Sequence, residues 1–272
     1  MGPGFDALGL ALELYNTTTV RRSSQIPSDP MAAEAAALFF KTAGVEAFGF
    51  DWTIAGDVPR SRGLGSSVTV RLGILHGLNV LSREPLDTVS LYHLCAKLEG
   101  HPDNAAPATF GGFTVARHDH TWQQFPVSDA LTFVLLIPDF EVQTIAARRV
   151  LPTVIPFADA VRSASNAAAI AAGFASQNYL SLHGCFVDGL HQPYRAPLVP
   201  GLHAVIAAAE TAGAIGGWLS GSGSTIAAFV MGDPQPVMEA MSKAYGTAPH
   251  QMQVVRAANQ GAHVLSDDDT IA

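Results

Sequence analysis

The sequence predicts an α+β fold, with strands and helices mixed rather than strictly alternating. Three features carry that expectation. Apolar runs of strand length sit beside Ala-rich runs of helical length. Some neighbouring strands are close enough to pair as hairpins, whereas others need a crossover. No fixed-period repeat and no low-complexity linker interrupts the chain.

Taken in order, residues 4–15 are apolar, with Leu8, Leu10, Leu12 and Leu14 alternating, and 12–20 read as a strand. Residues 31–42 are Ala-rich with Leu38, Phe39 and Phe40, and read as a helix. Phe48, Phe50, Trp52 and Ile54 alternate, the period of a half-buried strand. A Gly-rich turn opens a helix over 66–81; a second helix covers 86–98, a loop 100–107 and a strand 110–116. The pattern restarts near 127–130, which sets a domain division into 1–127 and 128–272. The unbroken apolar run 131–137 reads as a buried strand ended by Pro138. A short helix over 144–151 stops at Pro152, and helices follow at 158–173 and 202–212. Residues 216–230 read as strand, Gly-rich turn, strand; 234–245 as helix; 253–257 as a last strand.

Composition narrows the function. The 272 residues are 48% hydrophobic and 14% charged, enough for one large domain or two ordinary ones. The formal charge is −8 and no basic cluster stands out, which argues against nucleic acid as partner. Two isolated cysteines, Cys95 and Cys185, form neither a disulfide framework nor a zinc spacing and fit a reducing cytoplasm. No apolar run reaches the ~20 residues that span a bilayer, so no membrane partner is expected. The first residues are neither basic nor a long apolar stretch, so no secretory leader is expected.

Four segments carry chemistry. Gly63-Leu64-Gly65-Ser66-Ser67 lies between a strand and a helix. Such a turn brings backbone N–H groups and a helix N-terminus to an anion. Its serines can cap the helix or donate to phosphate oxygens. An ordinary strand–turn–helix corner explains the same five residues. No Gly-Lys-Ser/Thr triplet follows, so this is not a Walker A loop. Gly2-Pro3-Gly4-Phe5-Asp6-Ala7 mimics a dinucleotide fingerprint, but no strand precedes it and no acidic residue stands about 20 positions on. Glu99-Gly100-His101-Pro102-Asp103-Asn104 gathers acidic, imidazole and amide groups after a helix. That set suits Mg²⁺ and a polar substrate; a plain turn accounts for Asp103-Asn104 equally well. Ser220-Gly221-Ser222-Gly223-Ser224-Thr225 is a ligand loop or a flexible hairpin turn.

In this order and spacing the four segments resemble the GHMP kinase superfamily. The wording Glu-Gly-His-Pro-Asp-Asn resembles its homoserine kinase branch, as do Ala147-Arg148-Arg149-Val150-Leu151-Pro152 and Leu190-His191-Gln192-Pro193-Tyr194-Arg195. The resemblance runs from Gly2 to about Val255. It implies an N-terminal half like the second domain of ribosomal protein S5 and a ferredoxin-like C-terminal half. It further implies ATP and Mg²⁺ bound between them, with phosphoryl transfer to the hydroxyl of L-homoserine in threonine biosynthesis. A homodimer is common in the family.

The resemblance also assigns roles. Pro59-Arg60-Ser61-Arg62 and Gly63-Leu64-Gly65-Ser66-Ser67, with Val68 and Thr69, are expected to wrap the ATP phosphates. Ser67 and Glu99 are the expected Mg²⁺ ligands. Asp6 is expected to hold the substrate amino group, and Asn104 to sit by the reacting hydroxyl. Arg148 and Arg195 are expected to clamp the substrate carboxylate or the transferring phosphate, as a guanidinium fork suits both. Thr144, Gly221 and Ser222 are expected near the γ-phosphate and substrate. Asp103 is the only candidate base, and transfer by orientation without a base is expected.

Several positions depart from the family pattern. A strand and a Ser-Ser-Ala-Asn-Leu type segment normally precede Gly-Pro-Gly-Phe-Asp, and their absence is expected to expose a sheet edge and lower stability. Val68-Thr69 stand where Ala-Ala is preferred, Arg71 stands in the following helix, Ser224 replaces a usual Pro, and Asn166 a usual basic residue. Two rival readings stay open: a GHMP kinase for another small alcohol, such as mevalonate or a sugar, and a non-catalytic ligand-binding relative.

Overall fold

The computed structural model describes residues 1–265. The first half contains β1 (Leu8–Leu10), β2 (Asn16–Arg22), α1 (Pro30–Ala43), β3 (Phe50–Gly56), α2 (Ser66–Leu81), α3 (Thr88–Glu99), α4 (Ala105–Phe110), β4 (Phe113–Ala116) and β5 (Trp122–Phe125). The second contains β6 (Leu131–Pro138), α5 (Thr144–Arg149), α6 (Phe157–Ala175), α7 (Gln192–Arg195), α8 (Leu202–Thr211), β7 (Gly216–Leu219), β8 (Ile226–Met231), α9 (Gln235–Tyr245) and β9 (His250–Val255). The α+β expectation holds.

Strands pair antiparallel throughout. β2 and β3 form a ribbon, with Asn16 opposite Gly56 and Arg22 opposite Phe50. β1, β4 and β5 form a three-stranded sheet with β4 central. The C-terminal sheet runs β7-β8-β6-β9. Its central strand β6 explains the unbroken apolar run: Phe133, Leu135 and Ile137 pack into one core and Val134 and Leu136 into another. A strand covered on both faces has no polar side to show. On the first face Phe113 stacks on Phe174 of α6 at 4.3 Å between ring centroids. On the second, α8 and α9 supply Val205, Ala209, Val237 and Met241.

The N-terminal core is built by α1, α2 and α3 around Phe39, Leu75, Leu78 and Tyr92, all buried. Helix α2 lies close to β2 because Gly73 faces Thr18; a Cβ there would overlap the threonine side chain. That close approach fixes where the N-terminus of α2 points.

Four expectations shift. The strand foreseen at 12–20 is split: β1 ends at Leu10, Leu12 makes a single bridge to Ala257, and β2 starts at Asn16. The strand foreseen at 110–116 starts only at Phe113, and the last strand covers His250–Val255. The loop foreseen at 100–107 ends in α4, because Pro107 sits in the first helical turn, where a missing N–H costs nothing. Strand β5, with polar Gln123 and Gln124, had no apolar alternation to announce it.

Candidate active site

The Gly-rich segment is a left-turning loop leading into the 16-residue α2. Gly63 has φ 76°, and a Cβ there would land on the Ser220 carbonyl oxygen, so the position needs glycine on both counts. The first helical bond runs from Thr69 N–H to Gly65. Among the described residues, the N–H groups of Leu64, Gly65, Ser66, Ser67 and Val68 find no acceptor. Five free donors at the positive end of a helix make an anion seat.

The loop is held from both sides. Ser220 Oγ donates to the Gly63 carbonyl at 2.8 Å, Thr225 N–H to Arg62 at 3.1 Å, and Val142 N–H to Ser61 at 3.2 Å. The 220–225 turn is thus part of the loop's support. Arg62 differs from expectation: its guanidinium donates to the Pro138 carbonyl at 3.0 Å and faces Asp139 and Glu141. It anchors the loop instead of presenting charge to its mouth. Pro59 is half-buried and Arg60 is exposed. The departures at Val68 and Thr69 are absorbed locally. Val68 is buried in the N-terminal core. Thr69 Oγ1 donates to the Ser66 carbonyl and accepts from Asn16 Nδ2, both at 2.9 Å. Asn16, which also accepts from Val58 N–H at 3.3 Å, ties both ends of the loop to β2.

Ser67 and Glu99 meet: Ser67 Oγ donates to Glu99 Oε2 at 2.9 Å. The other carboxylate oxygen is taken, since Arg71 Nη1 donates to Oε1 at 2.7 Å. A hydroxyl beside a carboxylate at an anion seat is a hard-oxygen donor pair that fits Mg²⁺.

The remaining polar residues converge beside the loop. Asp6 has φ 55°, an uncommon backbone state for a non-glycine residue and one that clusters at functional sites. Its carboxylate takes a two-toothed bond from Arg148, at 2.8 and 3.1 Å. His101 Nδ1 lies 2.9 Å from Asp103 Oδ1. That hydrogen bond raises the His101 pKa against the opposing effect of burial. Burial pushes Asp103 up, but the His101 hydrogen bond and charge outweigh it and hold the carboxyl below its usual value. One ligand atom each from Asp6, His101 and Asp103 lies within 4.8 Å of the others. Ser67 and Glu99, unlike this group, meet at the first turn of α2 beside the unbonded N–H groups, which makes them the better fit to a phosphate-bound Mg²⁺. Asn104 precedes α4 without capping it, and its side chain has no partner among the described residues. Thr144 Oγ1 lies 3.4 Å from Ser222 Oγ.

Arg195 is buried, which differs from an open clamp. Its Nε donates to the Ala147 carbonyl and its Nη1 to the Gly221 carbonyl, each at 3.0 Å. It therefore ties helix α5, which carries Arg148, to the 220–225 turn. Its Nη1 also lies 3.3 Å from His191 Nδ1, while His191 Nε2 lies 2.9 Å from the Gly2 carbonyl. These contacts fit a neutral imidazole with its proton on Nε2. Burial pushes the His191 pKa down to about 4, consistent with that state. Phe5 stacks on His191 at 5.0 Å and lies under both guanidinium groups. The sequence contained His191 and His101 within singled-out segments but gave no sign of their roles.

Comparison with known proteins gives this geometry a family. The GHMP kinases N terminal domain matches residues 31–112, and the GHMP kinases C terminal family matches 158–247. A homoserine kinase of Halothermothrix orenii is 37% identical over 267 residues, 90% of this chain and 86% of its own length. A homoserine kinase of Moorella thermoacetica is 36% identical over 284 residues, 97% of this chain and 96% of its own. The crystal structure of homoserine kinase from Cytophaga hutchinsonii superposes with a TM-score of 0.87 at 26% identity, covering 96% of this chain and 92% of that one. A mevalonate kinase structure shares the fold, with a TM-score of 0.69 at 12% identity. With the Gly-rich loop, the Glu99 loop and the Arg148 helix assembled at one place, the chain belongs to the homoserine kinase family of the GHMP kinases.

Proposed function

We propose that this chain transfers the γ-phosphoryl group of ATP to the side-chain hydroxyl of L-homoserine, giving O-phospho-L-homoserine for threonine biosynthesis. The Asp6–Arg148 pair carries the reading. An α-amino acid is a zwitterion; its ammonium complements Asp6 and its carboxylate complements Arg148. Both side chains are about one-third exposed, at 36% and 37%, so a zwitterion can reach them and exchange their mutual bond for one ion pair to each. A sugar or mevalonate has no such charge pair to offer.

Phosphoryl transfer asks the protein for position and charge more than for covalent chemistry. The free N–H groups of residues 64–68 are the seat for the polyphosphate, and the α2 dipole favours its charge. Ser67 and Glu99 are the residues that would hold Mg²⁺, which supplies charge neutralisation at phosphate oxygens when bound. Asp6 and Arg148 orient the amino acid, Asn104 donates to or accepts from its hydroxyl, and proximity does the rest. Thr144, Ser222 and Gly221 line the γ-phosphate side, with Arg195 acting through the backbone it fixes. Asp103 already accepts from His101, so the hydroxyl proton leaves to a phosphate oxygen or to solvent. We assign the nucleotide half to 1–127 and the remainder to 128–272, of which 266–272 lie outside the described residues. Both cysteines are free thiols, in keeping with a cytoplasmic enzyme.

The test is ADP release from ATP with L-homoserine, mevalonate and galactose as competing acceptors. Release that depends on L-homoserine is expected. Preference for another alcohol, or nucleotide binding without transfer, overturns the reading.

A further inference from the structure

Arg71 is the residue that the sequence marked as out of pattern and that the reaction as described does not use. It projects from the second turn of α2 between two acidic groups on neighbouring helices. Nη1 meets Glu99 Oε1 at 2.7 Å, and Nη2 meets Glu34 Oε2 at 3.3 Å. The two acidic groups differ greatly: Glu99 is 7% exposed and Glu34 is 61% exposed. Only the Glu99 contact is shielded from water, so it dominates. Arg71 Nε is buried without a hydrogen-bond partner among the described residues. The guanidinium is therefore held here for its contact with Glu99, at some cost to its own satisfaction.

The consequence lies in which oxygen stays available. Oε1 is covered by Arg71, while Oε2 faces Ser67 at the mouth of the Gly-rich loop. A divalent ion reaching this carboxylate from the loop meets one oxygen. Mg²⁺ is small, keeps its waters and takes carboxylates by one oxygen; Ca²⁺ needs more ligands and often takes a carboxylate by both. We propose that Arg71 is a positioning residue that holds Glu99 as a one-oxygen ligand and thereby selects Mg²⁺ over Ca²⁺ in the nucleotide complex. The inference rests on the kinase reading above, through the metal that reading assigns to Ser67 and Glu99.

The experiment measures binding, not turnover. The dissociation constant of the non-hydrolysable analogue AMP-PNP is determined for the full chain with saturating Mg²⁺ and with saturating Ca²⁺. In the native chain Mg²⁺ is expected to give binding about tenfold tighter than Ca²⁺ does. Arg71→Met uncovers Oε1 and is expected to shrink that gap to about threefold or less, mainly by tightening the Ca²⁺ complex. Arg71→Lys, which keeps a cation at Oε1, is expected to retain the gap. A native chain with no gap, or an Arg71→Met chain that keeps the full gap, overturns the proposal. Should Arg71→Met fail to fold, Arg71→Leu takes its place under the same two criteria, and the native comparison stands regardless. If AMP-PNP binds under neither metal, the kinase reading itself has failed; if it binds with metal dependence but the gap ignores Arg71, only this inference has.

Discussion

Replacing Arg148 with methionine removes two charge-assisted bonds to Asp6, at 2.8 and 3.1 Å, while keeping an unbranched side chain over Phe5. Two consequences separate cleanly in magnitude. The pair is 37% and 36% exposed, so water screens it. Its loss costs folding within about 1 kcal/mol, as for other open ion pairs. A chain of this size then melts lower by only about 2–4 °C. The substrate loses more. A charge-assisted bond from guanidinium to carboxylate contributes about 1.5–3 kcal/mol. At about 1.4 kcal/mol per decade, kcat/KM for L-homoserine falls roughly 10- to 150-fold. The assay is steady-state ADP release with each substrate varied in turn, alongside a thermal melt. The expected pattern is a large loss in kcat/KM for L-homoserine, a KM for ATP within about threefold of native, and a nearly unchanged melt. Unchanged homoserine kinetics refute the assignment of Arg148 to the amino acid. An equal loss for ATP moves Arg148 to the phosphate.

Other perturbations test the rest of the site. Gly63→Ala puts a side chain at φ 76° and onto the Ser220 carbonyl. With about 1–2 kcal/mol of backbone strain added to that overlap, AMP-PNP affinity should drop at least tenfold; calorimetric binding within twofold of native contradicts the loop geometry. Asp103→Asn should lower kcat by less than ~10³-fold without removing a limb of the pH–rate profile. A greater loss, with the limb gone, identifies Asp103 as a general base. His101 has a folded-state pKa raised by Asp103, so its stabilising contribution is complete below the unfolded value near 6.5 and is lost as pH rises through the folded value. Urea melts from pH 5.5 to 8.5 should show His101→Asn losing less stability with rising pH than the native chain; identical slopes contradict the pair.

Much of the fold was legible because its signals are local. The helix over Ser66–Leu81 starts and stops where a Gly-rich turn and an apolar pattern say it should. Strand β6 declares itself by an apolar run that only double-sided burial explains. What stayed hidden is set by tertiary context. Pro107 looks like a loop residue until its place in the first turn of α4 is known. Gln123 and Gln124 pair with Val115 and Thr114 of β4, a partnership that no alternation of their own announces. The site follows the same division. The motifs placed Ser67 and Glu99 in one expected metal site, and Asp6 and Arg148 in one expected substrate site; the direct bonds within each pair were not foreseen. The turn of Arg62 toward Pro138, the burial of Arg195 under the 220–225 turn, and the grip of Arg71 on Glu99 depend on neighbours more than 25 residues away. A residue type at a motif position does not say which of its atoms is already spoken for.

Phosphoryl transfer at this site requires the unbonded amides at the head of α2 to receive a polyphosphate. Hydrogen exchange of residues 64–68, followed with and without AMP-PNP and Mg²⁺, reads those donors directly. They have no acceptor among the described residues, so they should exchange quickly alone and slow by an order of magnitude or more once phosphate oxygens accept from them. Exchange at these positions that is indifferent to saturating nucleotide would contradict the account.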